Sequence, residues 1–359
     1  MPAQPATKTE APRLMRAFVL TAPGEYSVQQ VAAPVAVPGE VVVDVERVGV
    51  CGTDVEFFTG QMAYLRQGHS AYPMRLGHEW AGRVAEIGEG VDAAWLGRRV
   101  TGDTMIGDGT CRRCLRGRHH VCENLQEIGI RTGRPGALAE QVAVPATSLH
   151  ALPESVDAQL GALVEPGGNA QRAAQGAGLQ RGDRALIFGP GTIGLLVAMF
   201  LRARGAEVHL MGRTEDSLAF ARKLGFANAW QPDAIPDVPY DAVIDASNSA
   251  RLPAAALERV EPGGRVVYIG LAGEPSAIDT RTLALKDVTA VGVLSASPSL
   301  DATIRAYAAG EVDPKPLVAA TVGLDQVGEV LAGNRPIGAG PGPKIHVDPR
   351  ISGPAGGHA

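Results

Sequence analysis

Five residues in three short stretches carry side chains suited to metal and proton chemistry. "GVCGTDVEFF" places Cys51 and Thr53 two positions apart, "RLGHEWAG" sets His78 beside Glu79, and "LVEPGGNAQ" supplies Glu165. Thiolate, imidazole and carboxylate are the ligand types of a catalytic zinc, which keeps one position open for substrate. Taken singly, each has a plainer role. A buried cysteine packs as a small hydrophobe, and a lone His or Glu is solvated or hydrogen-bonded.

A second cluster lies in "GDGTCRRCLRGRHHVC", where Asp108, Cys111, Cys114 and Cys122 follow the spacing D-x2-C-x2-C-x7-C. One carboxylate with three thiolates suits a closed tetrahedral zinc, although oxygen is harder than sulfur and holds the ion less tightly. Three arrangements fit the loop: Asp108 completes the site, His119 or His120 replaces it, or the loop is metal-free. The first is favoured. The four cysteines would pair as disulfides only in an exported chain, and in a reducing compartment this spacing favours metal.

A third motif, "FGPGTIG", gives Gly189, Gly191 and Gly194 as G-x-G-x-x-G, directly after an apolar strand and at the start of a helix. The first glycine allows a tight turn, the second lets a pyrophosphate approach the backbone, and the third permits close helix-to-strand packing. The helix N-terminus at Thr192 and Ile193 then offers free N–H groups to the anion. Where an NAD site usually carries an acidic residue on the ribose, this chain has "MGRTEDS", with Gly212, Arg213 and Thr214. A guanidinium there suits a 2′-phosphate, which favours NADP over NAD. The competing reading leaves Arg213 solvated and has Glu215 or Asp216 reach the ribose.

These side chains need a scaffold. Up to about residue 165, "GEVVVDVERVGV", "WAGRVAEIGEGV" and "LGRRVTGD" predict short antiparallel strands of a partly closed barrel. From about Gly182, strand-like and helix-like segments alternate. "DRALIFG", "EVHLMG", "YDAVIDAS", "RVVYIGLAG" and "DVTAVGVL" read as strands; "TIGLLVAMFLRARG", "DSLAFARKLG" and "LPAAALERVEPGG" read as helices. Such alternation implies right-handed crossovers and a parallel sheet covered on both faces. After Ser297 a helix in "PSLDATIRAYAAGEVDP" and short strands such as "KIHVDP" are expected to pack back onto the first domain. The segments "YIGLAG" and "GVLSAS" are expected at strand ends, lining the nicotinamide.

With 359 residues the chain has room for about two domains. Hydrophobic residues at 45% and charged residues at 20% suit a globular protein. A net charge of -5 gives no reason to expect nucleic acid or an anionic membrane as partner. "MPAQPATKTEAPRL" has no apolar core of the secretory kind and reads as a disordered tail, and "SGPAGGHA" reads as a flexible end. "ALIFGPGTIGLLVAMFL" is too short and too glycine-broken to span a membrane. The expectation is a soluble, cytoplasmic protein.

Taken together, the stretches resemble the medium-chain dehydrogenase/reductase family of zinc-containing alcohol, polyol and threonine dehydrogenases, in the same order from about Met15 to Pro349. The resemblance implies an α/β fold: a doubly wound Rossmann sheet at 167–297, a GroES-like β-barrel-type catalytic domain at 1–166, and a return to that domain at 298–359. It implies Cys51, His78 and Glu165 as ligands of the catalytic zinc, with Glu79 a close neighbour able to coordinate. It also makes Thr53 the hydroxyl that relays the alcohol's proton, and the cysteine loop a structural-zinc lobe. Glu165, and Glu79 after His78, point to the polyol, sugar and threonine branch. Glu56 departs from the many members with a histidine there.

The implied reaction is hydride transfer between a secondary alcohol, or the ketone in reverse, and NAD(P), in a homodimer or homotetramer. Two other readings use the same scaffold. A zinc-independent NADPH reductase would lack Cys51 and His78, and a catalytically silent nucleotide-binding protein would not need Cys51, Thr53, His78 and Glu165 intact. In the loop "FFTGQMAYLRQGHSAYP", Arg66 and His69 are candidates for contact with a polar substrate.

Overall fold

A computed structural model of the protein describes residues 12–351. The expected flexible end "SGPAGGHA" and all but the last three residues of the expected N-terminal tail lie outside them.

Six parallel strands form one sheet, in the spatial order Ala229–Trp230, Glu207–Met211, Arg184–Phe188, Tyr240–Asp245, Val260–Tyr268 and Thr289–Gly292. Numbered along the chain, this is the doubly wound order 3-2-1-4-5-6, whose direction reverses beside Arg184–Phe188. The central strands are buried along most of their length because helices cover both faces, with only Arg184, Glu207 and Asp241 near their starts reaching solvent. Helix Thr192–Ala203 is buried along most of its length, Gly194 to Leu201, between the sheet and helix Val164–Gly176. That explains its nearly continuous apolar sequence.

The second sheet runs Val318–Val322, Lys344–Val347, Glu40–Gly49, Glu79–Ile87, Arg99–Gly102 and Leu149–Ala151, with Gln141–Pro145 also paired to Glu40–Gly49. All these pairings are antiparallel except that between Val318–Val322 and Lys344–Val347. This is the GroES-like unit expected from the sequence. Strands from both ends of the chain meet at one point, where Gly49 faces Glu79 on one side and His346 on the other.

Two details differ from the expected division. Helix Val164–Gly176 runs through the boundary expected at residue 166, so the two units share a rigid element. Helix Leu300–Ala308 packs on Val164–Gly176, with Tyr307 stacked on Phe200 at 6.2 Å. It therefore stays with the helical layer of the parallel sheet. Its apolar residues Leu300, Ile304 and Tyr307 complete that layer's core, and the return to the barrel begins at Val318. Among the described residues, no helix is long and apolar enough to cross a membrane.

Candidate active site

Cys51 follows strand Glu40–Gly49 and is the N-cap of helix Gly52–Phe58. Its N–H donates to Asp54 Oδ2 at 2.9 Å, so Asp54 ties down the first turn of that helix. Asp54 is fully buried, and its other oxygen lies 3.6 Å from His78 Nδ1. At that distance neither Asp54 Oδ1 nor His78 Nδ1 has a hydrogen-bond partner among the described residues. Burial pushes the His78 pKa down, but the carboxylate of Asp54 outweighs it and holds the imidazole well above its usual range.

Glu79, next in the chain, starts strand Glu79–Ile87. Both of its oxygens accept from Lys344 Nζ, at 2.9 and 2.6 Å, and the pair is buried. Lys344 Nζ also donates to the Val50 carbonyl at 2.9 Å. A Cβ at position 49 would overlap the Glu79 carboxylate, so Gly49 leaves it the room it needs.

One ligand-type atom from each of Cys51, His78 and Glu79 lies within 4.8 Å of the others. Thiolate, imidazole and carboxylate, with Asp54 behind the imidazole, fit a zinc ion and its supporting shell. Glu165 is buried nearby but outside that group; its carboxylate accepts from Asn169 Nδ2 at 2.8 Å. Burial raises its pKa to about 7, the neighbouring Glu79 adds to this, and His78 pulls against it. Thr53 and Glu56 are half-buried one turn apart on helix Gly52–Phe58, and burial raises the pKa of Glu56.

In the cysteine loop, Asp108, Cys111, Cys114 and Cys122 bring four ligand atoms within 4.8 Å of one another. Asp108 Oδ1 accepts from the N–H groups of Thr110 and Cys111, and Oδ2 from Asn124, which together hold its pKa well below the usual carboxylate range. Cys122 Sγ accepts from the N–H groups of Asp108 and Asn124 at 3.3 Å. Backbone donors lower the Cys111 pKa, while burial pushes Cys114 up to about 12. Neither histidine joins this group: His119 Nε2 lies 2.7 Å from Asp103 Oδ2. Asp103 also accepts from Ser297 at 2.8 Å, which joins the lobe to the "GVLSAS" segment.

The glycine motif sits at the topological reversal of the parallel sheet. Gly189 has φ 93°, open to glycine but strained for other residues, and a Cβ on Gly194 would overlap the Gly189 carbonyl. Gly191 caps helix Thr192–Ala203, whose first N–H groups, on Thr192, Ile193 and Gly194, have no partner within the helix. These features fit a dinucleotide pyrophosphate. Gly212 and Arg213 follow strand Glu207–Met211, and Thr214 caps helix Glu215–Lys223. Arg213 is exposed and makes no ion pair among the described residues, whereas Glu215 is paired with Arg222.

The structure also shows residues that sequence reading missed. Asp54 was legible in "CGTD" as a side chain one turn past Cys51. Lys344 was not, because its partner Glu79 lies 265 positions away.

The comparisons agree with this geometry. Residues 37–154 match the model of the alcohol dehydrogenase GroES-like domain, and 192–309 match that of the zinc-binding dehydrogenase. A 2-dehydro-3-deoxy-L-galactonate 5-dehydrogenase of Pseudoalteromonas atlantica is 32% identical over 82% of this chain and 87% of that protein. An L-threonine 3-dehydrogenase of Coxiella burnetii is 30% identical over 73% of this chain and 79% of that protein. A zinc-binding dehydrogenase of Sinorhizobium meliloti, solved bound to NADP, superposes with TM-score 0.84 at 29% identity, covering 94% of this chain and 100% of that one. The chain therefore belongs to the zinc-dependent medium-chain dehydrogenase family, with the alcohol, polyol and threonine dehydrogenases.

Proposed function

We propose that the protein is a zinc-dependent oxidoreductase that transfers hydride between a secondary alcohol of polyol, sugar, cyclitol or amino-alcohol type and NAD(P), with NADP favoured over NAD. The observation that carries this reading is the convergence of Cys51, His78 and Glu79 within 4.8 Å, in a chain that also holds the G-x-G-x-x-G turn. Cys51 and His78, with Glu165 or Glu79, are the proposed zinc ligands, and a bound zinc would supply Lewis-acid polarisation of the carbinol oxygen.

The chain's own residues do the remaining work. Asp54 fixes the ring orientation of His78. Lys344 balances the charge of Glu79, and Asn169 orients Glu165. Thr53 takes the carbinol proton through its hydroxyl, and Glu56, one turn along the same helix with its pKa raised by burial, is the next proposed acceptor. The N–H groups at Thr192, Ile193 and Gly194 bind the pyrophosphate, and Arg213 binds the 2′-phosphate. Asp108, Cys111, Cys114 and Cys122 are the proposed ligands of a second, structural zinc. The proposed division of labour is catalytic up to the shared helix Val164–Gly176, coenzyme-binding from there through helix Leu300–Ala308, and a return to the catalytic unit from Val318.

The relatives act on hydroxy acids and amino acids by name, which makes polyols, aldonates and β-hydroxy amino acids the first substrates to try. A screen of these with NAD and NADP, followed by the absorbance of the reduced nicotinamide, tests the reading. Turnover with a secondary alcohol that is lost on zinc removal supports it; zinc-bound protein inactive across the screen refutes it. A homodimer is proposed through the open edge strand Thr289–Gly292, beside which Leu285 is 81% exposed. Leu285→Glu should shift the mass in light scattering toward the monomer, and an unchanged mass would move the interface elsewhere.

A further inference from the structure

Strand Gln126–Glu127 pairs with Met105–Ile106, and its two side chains point to opposite faces. Gln126 accepts from Arg134 on one face. Glu127 is buried on the other, 2% exposed. The strand is tied directly to the catalytic cluster: Ile128 N–H donates to the Thr104 carbonyl at 3.0 Å, and the Thr104 hydroxyl donates to the His78 carbonyl at 3.2 Å.

Around Glu127 stand residues from the segment that follows Cys51 and Thr53. The Arg131 guanidinium lies 5.4 Å above the Tyr64 ring, and its Nη2 is 3.3 Å from His69 Nδ1. Tyr64 and His69 meet edge to face at 5.7 Å. The Thr132 N–H donates to the His69 carbonyl at 2.9 Å, which closes the ring of contacts. Arg131 Nη1 nevertheless stops 4.0 Å from Glu127 Oε1, beyond hydrogen-bond reach. Glu127 Oε1 and Arg131 Nε are both buried and have no hydrogen-bond partner among the described residues. A buried carboxylate oxygen without a donor is costly, and such cost is tolerated where a ligand relieves it. The Tyr64 hydroxyl also approaches this carboxylate, and the Thr104 link holds the strand that carries it against the backbone of His78.

We propose that Glu127 is a substrate-recognition residue: its free oxygen accepts from a hydroxyl or ammonium on the carbon next to the reacting carbinol, while Arg131, held by Tyr64 and His69, positions it. The site would thus select vicinal diols and β-hydroxy amines over plain secondary alcohols. This rests on the proposed dehydrogenase reading.

The test compares the zinc-loaded wild type with Glu127→Gln and Glu127→Asp on butane-2,3-diol, L-threonine and butan-2-ol. Butan-2-ol lacks the neighbouring donor, and the other two separate a hydroxyl from an ammonium. The ratio of kcat/KM for the better donor substrate to that for butan-2-ol should fall on the order of 10- to 100-fold in Glu127→Gln, the loss expected for one charge-assisted hydrogen bond. Glu127→Asp guards against misfolding, since it keeps the charge and should retain part of the ratio. A merely structural Glu127 would lower both rates together, or lower the melting temperature without changing the ratio; either result overturns the inference and leaves the dehydrogenase reading standing. If the wild type oxidises none of the three, that reading fails for these substrates. The inference is then decided by thermal shift: stabilisation by the diol or threonine that is lost in Glu127→Gln supports it, and no shift overturns it.

Discussion

Lys344 Nζ donates to both carboxylate oxygens of Glu79, at 2.9 and 2.6 Å, in a site where the two side chains are 4% and 1% exposed. Burial would lower the lysine pKa, but the charge of Glu79 raises it above its usual value, so Lys344 stays charged and the pair is neutral overall. Strand Lys344–Val347 is thereby fastened to the residue beside His78.

Lys344→Met should strand a buried carboxylate and destabilise the fold by about 3–5 kcal/mol, whereas the double variant with Glu79→Gln should recover much of that loss. Urea unfolding of the four proteins checks it. Additive losses, with no recovery, would show that the two residues are not coupled.

Metal content should be two zinc ions per chain, by elemental analysis after dialysis against chelator-free buffer. Asp108→Ala and His78→Ala should each reduce it to about one, by different ions. His78→Ala should also abolish turnover while coenzyme still binds. One zinc in the wild type that disappears with His78→Ala would make the cysteine lobe metal-free.

Arg213→Ala should weaken NADP binding by about 1.5–3 kcal/mol, the worth of one charge-assisted contact, and leave NAD binding nearly unchanged. Fluorescence titration of both coenzymes measures this. Equal weakening would mean that Arg213 does not read the 2′-phosphate. The pairing of Glu215 with Arg222 leaves that acid less free to reach the ribose instead.

His346 is fully buried, and both ring nitrogens lack a hydrogen-bond partner among the described residues. Burial, with Lys344 and Arg47 adding to it and Asp157 opposing, lowers its pKa from 6.5 to about 3. The unfolded chain therefore takes up this proton first. Stability from this group is fully present above about pH 6.5 and declines as the pH falls, by about 2 kcal/mol at pH 5. His346→Leu should flatten that acid limb in urea unfolding between neutral pH and pH 5. An unchanged slope would assign the acid sensitivity to other groups.

Much of the fold was legible because its signals are local. Each strand and helix of the parallel sheet lies within a short window, and the fingerprint glycines answer to backbone demands that arise within six residues of chain, Gly189 to Gly194. The ligand-type side chains could be named for the same reason, since Cys51, His78, Asp108 and their neighbours stand in short motifs of fixed spacing. The helix after the parallel sheet was harder to place. Leu300–Ala308 has an apolar stripe that suits either unit, and its partner was settled by the available face of Val164–Gly176.

The sequence by itself determined the two fold units, the glycine turn and the types of the candidate ligands, because periodicity and motif spacing act over a few residues. Only the tertiary structure decided which carboxylate stands within 4.8 Å of Cys51 and His78, that Lys344 reaches Glu79 across 265 positions, and that Glu127 is buried with a free oxygen. Those facts depend on strand pairing between distant segments, and nothing in a local window encodes the partner across a sheet.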